Sequence, residues 1–345
     1  MTGGNVKSDC HAIVLMNLGS PDSTEVSDVK KYLREFLMDE RVIDYPYLFR
    51  WLLINGIIAP FRAPKSAEAY KAVWTKEGSP LIVLSEALRD AVSERVDVPV
   101  RIMMRYGNPS PAQVFDELQS SYPQLEKVLL LPLYPHYAMS SYETAVVYAE
   151  DILRAGDYSF TMETIKPFFD NKQYINALAK SIQPYLAEPY DQILFSYHGL
   201  PERHMRKADI TGNISSPAHK TCYRHQCFRT TQLVAEQLDI PTGKYNQSFQ
   251  SRLGREEWLK PYTVERLAQL PNEGVKKLLI VCPAFVSDCL ETLEEIAIEG
   301  REIFLEAGGE SFTMIPCMNT QPFWVDTISD WTNQYFAGDR TMIVQ

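Results

Sequence analysis

The sequence predicts an α/β protein of doubly wound architecture, built from two similar halves. Short β-rich apolar runs alternate with longer amphipathic segments along all 345 residues, which is the pattern of helices packed against a parallel sheet. The runs 129–131 and 278–282 are continuously apolar, as expected for strands covered on both faces. A short internal echo also indicates duplication, because Glu-Thr follows eight residues after Pro135 and again eight residues after Pro283.

The predicted strands divide four and four between the halves. They cover residues 12–17, 100–105, 127–131, 161–165, 192–197, 244–249, 276–282 and 312–316. Amphipathic segments predict helices at 110–121, 142–154 and 230–238, among others. Residues 170–181 are the predicted crossover between the halves.

Composition narrows the class of protein. Acidic residues outnumber basic ones by 44 to 34, giving a net charge of −10, which disfavours a nucleic-acid partner. The six cysteines are scattered, unlike a secreted disulfide framework. No apolar signal segment opens the chain, and the apolar stretch 51–61 is far shorter than the ~20 residues that span a membrane. We therefore expect a cytoplasmic location.

Ligands of open α/β folds bind beyond the carboxyl ends of the strands, and a cleft between two such halves is the expected site. His198 follows the fifth strand, where a general base or a metal contact is as plausible as a structural histidine. The turn NLGSP at 17–21 follows the first strand. It is not a nucleotide-binding motif, so it predicts either a tight turn or a close backbone approach to a flat ligand.

A row of acidic residues follows the seventh strand. Glu291, Glu295 and Glu299 are spaced four apart, on one face of a predicted helix, and Asp288 precedes them by three. Such a row is ordinarily a solvated helix face. Its position at the end of a strand also suits the passage of a hard cation or of protons.

Two further segments leave alternatives open. His219, Cys222, His225 and Cys227 have zinc-ligand chemistry but not zinc-finger spacing, so surface residues of a helix are the more economical interpretation. The aromatic and apolar segment 45–61 is either a buried core helix or an exposed lip that meets an apolar ligand or a membrane surface.

Ordered motifs over about residues 12–331 resemble the ferrochelatase family, whose members insert ferrous iron into a porphyrin. These motifs are LMNLGSP at 15–21, GSP at 78–80, MRY at 104–106, LYPHY at 133–137, FSYHGLP at 195–201, FQSRLG at 249–254 with Trp258, and SDCLETL at 287–293. The resemblance implies two Rossmann-like lobes, each with a four-stranded parallel sheet. It assigns residues 1–172, with an apolar lip at about 45–62, to the first lobe and 173–320 to the second, with the terminal segment 321–345 returning to the first.

The resemblance also implies residue roles. His198 and Glu291 match catalytic positions, and His198, Glu291, Glu295 and Glu299 match metal-contacting positions on or near a partly π-helical segment. Substrate-binding positions are assigned to Leu18, Arg105, Tyr106, Tyr134, Trp258 and Asp288. The implied chemistry is distortion of the ring, loss of two pyrrole protons and entry of Fe²⁺.

This sequence differs from the family pattern at cysteine and histidine positions that are relevant to cofactor binding. Cys289 stands where some relatives have histidine, and the chain lacks the cysteine-bearing tail of others. Only Cys222 and Cys227 lie in the insertion that is richer in cysteine in cluster-bearing relatives, and 209–216 contains none. We predict that no [2Fe–2S] cluster is bound and that no other cofactor is required, with Fe²⁺ acting as a substrate.

The apolar character of residues 47–61 favours protoporphyrin IX as substrate, giving protohaem in the terminal step of haem synthesis, with peripheral contact to the inner membrane. The alternatives are a coproporphyrin III or cobalt chelatase, a haem or porphyrin carrier without turnover, and a nucleotide-dependent enzyme. The last is disfavoured because GxGxxG and P-loop motifs are missing.

Overall fold

The protein is described by a computed structural model, which covers residues 10–208, 221–252, 254 and 256–344. It forms two compact units. The first contains the described residues up to Leu133, Met139–Lys166, and the chain from Val325 onward; the second contains Tyr134–Ala138 and Pro167–Trp324. The boundary thus falls six residues before the one predicted at 172/173, and the terminal helix divides between the units at Val325.

The first unit is built on a four-stranded parallel sheet of order β2-β1-β3-β4. Its strands are β1 (His11–Gly19), β2 (Val100–Tyr106), β3 (Lys127–Pro132) and β4 (Thr161–Thr164). The helices are α1 (Val26–Leu37), α2 (Tyr47–Leu53), α3 (Ala59–Val73), α4 (Pro80–Ser93), α5 (Pro111–Ser121) and α6 (Thr144–Ala155), with π-helical turns at Ile54–Ile58 and Met139–Glu143.

The second unit repeats this plan with the order β6-β5-β7-β8, also parallel. Its helix α7 (Lys172–Ile182) precedes β5 (Gln192–His198), α8 (Glu202–Ala208), α9 (Tyr223–Gln237), β6 (Tyr245–Gln250), α10 (Thr263–Gln269), β7 (Lys277–Val281), α11 (Arg301–Glu306) and β8 (Ser311–Met314). A π-helix spans Glu291–Gly300 before α11, 3₁₀ turns lie at Gln183–Ala187 and Leu270–Glu273, and α12 (Pro322–Phe336) closes the chain.

The predicted fold class is confirmed, and the eight predicted strands match β1–β8 to within two residues at each end. The central strands are buried on both faces, as their continuous apolar runs predicted: residues 12–16 of β1 and 128–131 of β3 are fully buried. In the second unit, Leu194, Leu278 and Ile280 pack with Ile296 of the π-helix and Phe304 of α11. Within the described residues, no helix is both long enough and apolar enough to cross a membrane.

The turn after β1 requires glycine. Gly19 has φ +109°, and a Cβ placed there would lie 1.8 Å from the carbonyl oxygen of Tyr106 on the adjacent strand β2. The backbone that approaches this turn closely is therefore the neighbouring strand. Gly243, in an exposed turn before β6, has a similar φ of +100° but nothing within 4 Å of its added Cβ.

His136 is buried in the second unit with a defined proton arrangement. The hydroxyl of Thr230 donates to the carbonyl of Phe169 at 2.7 Å, so the 2.9 Å contact between His136 Nε2 and Thr230 Oγ1 is donated by the imidazole. His136 Nδ1 is buried and has no hydrogen-bond partner in the described structure. Burial therefore lowers the pKa of His136 from 6.5 to about 3.

Alanine substitutions at Gly19 and Gly243 separate the cost of backbone strain from the cost of a steric clash. Gly243→Ala should cost about 1–2 kcal/mol of unfolding free energy, because only the left-handed backbone is strained. Gly19→Ala should cost more than about 4 kcal/mol or prevent folding, because its methyl group meets a main-chain oxygen. Urea titration followed by circular dichroism measures both. Equal losses would mean that β2 moves away from β1 without significant cost.

His136 should make the fold acid-sensitive. Below pH 6.5 the unfolded chain binds a proton at this histidine and the folded chain does not, so stability falls as the pH drops from about 6.5 towards 3. Between pH 7.5 and 5 the wild type should lose about 2 kcal/mol through this group, and His136→Gln should not. The half-buried His11 offers the control His11→Gln. An unchanged pH profile in His136→Gln would refute the assignment.

Candidate active site

His198 ends β5 at the carboxyl edge of the second sheet, with its side chain half-buried. Its Nδ1 lies 2.6 Å from the carbonyl oxygen of Gly199. Because a carbonyl can only accept a hydrogen bond, Nδ1 carries the hydrogen and Nε2 presents a lone pair. The backbone carbonyl of His198 accepts a hydrogen bond from Tyr223 at 2.9 Å, which ties the end of β5 to α9. The site thus contains an oriented base or metal ligand.

Two aromatic side chains flank this imidazole. The ring centres of Trp258 and Phe285 lie 6.5 and 6.4 Å from that of His198. Trp258 is held by a short antiparallel bridge to Pro201 and by the neighbouring hydrogen bond from Leu259 N to the carbonyl of Leu200. The Trp258 indole N–H is buried and has no hydrogen-bond partner among the described residues.

The predicted acidic helix is a π-helix over its first ten residues, Glu291–Gly300. Glu291 and Glu295 are half-buried and Glu299 is exposed. The acidic row therefore leads from the interior of the unit to its surface, unlike the fully solvated face of the alternative interpretation. The resemblance implied a helix that is partly π, and the π segment here spans the whole acidic row.

Glu295 accepts two hydrogen bonds from Ser251, the residue after β6. The Ser251 N–H donates to Oε1 at 2.6 Å and its hydroxyl donates to Oε2 at 2.5 Å. Ser251 adopts a left-handed backbone with φ +65°, a costly conformation for a non-glycine residue that is concentrated at functional sites. Burial raises the pKa of Glu295 above its ordinary value, although the two Ser251 hydrogen bonds and the nearby His198 oppose the rise.

A buried hydrogen-bond network, made of one amide and three hydroxyl side chains, fixes the position of the π-helix relative to the sheet. Gln250 donates from Nε2 to the carbonyl of Glu291 at 3.3 Å, and its Oε1 accepts from Ser196 at 2.6 Å. Ser196 in turn contacts Thr263 at 2.9 Å, and Thr263 donates to Ser248 at 2.8 Å. All four of these polar side chains are fully or almost fully buried. The network fixes the start of the π-helix beside the strand that carries His198.

The carboxylate and the backbone N–H of Asp288 both make hydrogen bonds within the second unit. One carboxylate oxygen accepts from Asn319 Nδ2 at 2.7 Å and the other accepts from Thr292 Oγ1 at 2.9 Å, while the Asp288 N–H donates back to Asn319 Oδ1 at 2.8 Å. These contacts connect the start of the π-helix to the loop after β8. The assignment of Asp288 to substrate binding stays a prediction, and its carboxylate already accepts from three donors, the third being the Cys317 N–H at 3.4 Å.

Predicted substrate residues of the first unit lie at the ends of β1 and β2. Leu18 is half-buried, whereas Tyr106 is fully buried and donates its hydroxyl to Asp39 at 2.9 Å. Burial raises the pKa of Tyr106 well above its usual range. Arg105 is largely buried, and its guanidinium is paired with Asp39. Tyr134 is buried in the second unit.

The lip segment is exposed, so the interpretation as a buried core helix is wrong. Large apolar side chains of α2, of the π-helical turn after it and of the first turn of α3 are more than 40% accessible: Tyr47, Leu48, Phe49, Trp51, Leu52, Ile57 and Phe61. Arg50 points inward and donates from Nη1 to the carbonyls of Ile43 and Tyr45, each at 3.0 Å. An apolar patch of this size is typical of a surface that meets a membrane or an apolar ligand.

The candidate zinc segment shows a different arrangement. Cys222 and Cys227 are buried, so the interpretation as helix-surface residues is wrong for both, and His219 lies outside the described residues. Among the residues that the structure describes, no three His, Cys, Asp or Glu side chains form a group that could hold a metal ion. This applies equally to His198 with the acidic row, where fewer than three of the described side chains are grouped closely enough to hold one ion together.

Sequence reasoning gave no role to several residues that shape the site. Ser251 and Gln250 lie inside a quoted motif, but their contacts with the π-helix depend on sheet register. Asp39 and Thr144 carry no sequence signal for their contacts with Arg105, since 66 and 39 residues separate them from it.

Comparison with known proteins identifies the family. A family model described as Ferrochelatase matches residues 10–335. A protein named Ferrochelatase from Opitutus terrae is 48% identical over 334 residues, covering 92% of this chain and 96% of that protein. One of the same name from Pseudomonas syringae pv. tomato is 46% identical over 330 residues, covering 92% and 96%.

Among solved structures, SirB from Bacillus subtilis with Fe³⁺ matches with a TM-score of 0.56 at 12% identity, covering 97% of this chain and 99% of that one. SirB from Bacillus subtilis subspecies spizizenii in complex with cobalt gives a TM-score of 0.53, also at 12% identity. Identity this low shows a shared fold and nothing more. The family model and the curated relatives extend over nearly the whole chain, and the chain belongs to the ferrochelatase family.

Proposed function

We propose that this ferrochelatase-family enzyme inserts Fe²⁺ into protoporphyrin IX to form protohaem, the terminal step of haem synthesis. The observation that carries the proposal is His198, whose Nε2 lone pair is oriented by the Nδ1 contact with Gly199 and lies near the acidic π-helix. An imidazole lone pair beside carboxylates suits both removal of protons and passage of a divalent cation.

The reaction balances without a redox step. Two pyrrole N–H bonds break, the four ring nitrogens bind Fe²⁺, and two protons leave. We assign proton acceptance to His198 Nε2 and Glu291. Glu295 and Glu299 then extend the path for cations or protons towards the surface, which is consistent with the change from half-buried to exposed along the row.

Ring distortion is the proposed source of rate enhancement. A planar macrocycle shields its nitrogen lone pairs, so tilting a pyrrole ring lets the metal reach them. Trp258 and Phe285 beside His198 offer apolar surface for contact with the macrocycle, and binding energy from that contact can offset the strain. The substrate-binding roles proposed from the resemblance are kept for Leu18, Arg105, Tyr106, Tyr134 and Asp288. Tyr106 and Asp288 would act indirectly, through their hydrogen bonds to Asp39 and Asn319.

The exposed lip supports protoporphyrin IX over coproporphyrin III. Protoporphyrin carries two carboxylates and dissolves in membranes, whereas coproporphyrin carries four and favours a polar entrance. The accessible apolar side chains of α2 and of the turns after it suit peripheral contact with the cytoplasmic face of the inner membrane.

We further propose that the enzyme needs no [2Fe–2S] cluster. Such clusters are usually held by four cysteine thiolates, and Cys222 and Cys227 are the only cysteines between positions 11 and 281 of the sequence. The visible absorbance of protein purified without oxygen reports on this directly, since a cluster is coloured.

Anaerobic metallation followed by absorbance tests the main proposal. Wild-type protein should metallate protoporphyrin IX with Fe²⁺, or with Zn²⁺ as an oxygen-tolerant substitute, faster than coproporphyrin III. His198→Ala should lower kcat about 100-fold or more, because an oriented proton acceptor is lost. His11→Ala, at the far end of β1, should retain wild-type turnover.

Each other result has a definite meaning. A preference for coproporphyrin III would keep the metallation activity and overturn the substrate. Tight porphyrin binding without metallation above background would indicate a carrier. Normal turnover by His198→Ala would exclude this histidine as an essential group.

The lip should mediate membrane binding. Replacing Leu48, Leu52 and Ile57 with Ser removes three exposed apolar side chains, so co-sedimentation with phosphatidylethanolamine–phosphatidylglycerol vesicles should weaken by about tenfold or more. The matched control replaces Val26, Phe228 and Val264, which are exposed to 41–50% elsewhere on the protein. Equal binding by both triple variants and the wild type would refute membrane contact through the lip.

A further inference from the structure

Asp39, just after α1, is a common acceptor for four donors of the first unit. Its side chain is only 4% exposed. Oδ2 accepts from the Arg105 guanidinium, from the hydroxyl of Thr144 and, at 2.9 Å, from the hydroxyl of Tyr106. Oδ1 accepts from the backbone N–H of Arg41 at 2.8 Å. A buried carboxylate with this many donors is rigidly placed.

Arg105 is held from several directions as a result. Besides its pairing with Asp39, its Nε–H donates to Thr144 Oγ1 at 2.8 Å. The guanidinium carbon lies 4.3 Å from the ring centre of Tyr106 and 4.1 Å from that of Tyr148, so two aromatic rings also contact the cation. Few rotamers of Arg105 satisfy all of these contacts.

The guanidinium keeps unused donors. Of its five N–H groups, one is used by Thr144 and one by Asp39, and the other three have no hydrogen-bond partner in the described part of the chain. The side chain is 13% exposed. An arginine whose stem and one edge are fixed can present its remaining edge to a carboxylate in bidentate geometry with little further loss of entropy.

Asp39 stays ionised in this environment. Burial alone would raise its pKa, but the hydrogen bonds from Thr144 and the Arg41 N–H, together with the charge of Arg105, hold the pKa below its ordinary value. The pairing is therefore a charge-assisted one throughout the neutral range. Glu35 is close enough to interact electrostatically with Arg105, but its carboxylate accepts from the Gly107 N–H at 3.2 Å and makes no hydrogen bond to the guanidinium in the described structure.

We propose that Asp39 is a positioning residue that fixes Arg105 so that the open edge of the guanidinium binds a propionate carboxylate of the porphyrin. This inference rests on the proposed function and adds a determinant of substrate charge to it. The competing explanation is an ion pair that only stabilises the fold.

Binding of two porphyrins separates these explanations. Deuteroporphyrin IX carries two free propionate carboxylates, whereas its dimethyl ester carries both as uncharged methyl esters. With fluorescence quenching and no metal, Asp39→Asn should weaken binding of the diacid about tenfold, as expected when a charge-assisted contact is misplaced. Binding of the ester, measured in the same detergent micelles, should not change.

Kinetics and a double variant complete the test. For metallation of deuteroporphyrin IX, Asp39→Asn should raise KM about tenfold with little change in kcat. The double variant Asp39→Asn/Arg105→Leu should bind the diacid no more weakly than Arg105→Leu alone, because both changes remove one interaction. Asp326→Asn, which breaks the exposed pair with Arg95 in the same unit, should match the wild type in every assay.

The outcomes are distinguishable. Equal weakening for acid and ester, or additive losses in the double variant, would overturn the proposal and leave Asp39 a stabilising residue. If Asp39→Asn fails to fold, Arg105→Lys replaces it, since lysine keeps the charge but lacks the planar fork and should lose the preference for the diacid. If the wild type metallates no porphyrin, the proposed function fails while the binding comparison still judges Asp39.

Discussion

A close approach of two strands at a glycine is the constraint on which both units depend. A Cβ at Gly19 would lie 1.8 Å from the Tyr106 carbonyl oxygen, and a Cβ at Gly199 would lie 2.7 Å from that of Gln250. In each unit the central strand can therefore end beside its neighbour without a gap. The residue before each glycine, Leu18 or His198, is thereby fixed at the carboxyl edge of the sheet, where ligands of such folds bind.

The two units share one plan, and a few residues distinguish the unit that carries the acidic row. LGSP at 18–21 corresponds to HGLP at 198–201, and the echoed Glu-Thr pairs, 143–144 and 291–292, both occur at π-helical turns. In the first unit Glu143 pairs with Arg41 at 3.1 Å, while no described lysine or arginine is paired with Glu291. The same scaffold thus supports a neutralised carboxylate in one unit and an acidic row beside an imidazole in the other.

The fold was largely predictable because its signals are local. Continuous apolar runs such as 129–131 end at turn residues, and burial on both faces of a parallel strand requires such runs. The π-helix was less accessible, since Glu291–Gly300 has ordinary helical composition and its register follows from the contacts of Gln250 and Ser251. Exposure of the lip also depended on packing, because an apolar helix sequence fits a core as well as a surface.

The sequence by itself determined the α/β fold class with four strands in each half, the placement of His198 at a strand end and the acidic row, because periodicity and chain order encode them. Only the tertiary structure decided the tautomer of His198, the hydrogen bonds from Ser251 to Glu295 and the ion pair between Arg105 and Asp39. The His198 contact joins neighbouring residues, but its hydrogen-bond geometry is not encoded in residue order. The other two contacts join residues 44 and 66 positions apart, and side-chain hydrogen bonds over such separations leave no periodic trace in the chain. They arise when the sheet brings the strand ends together.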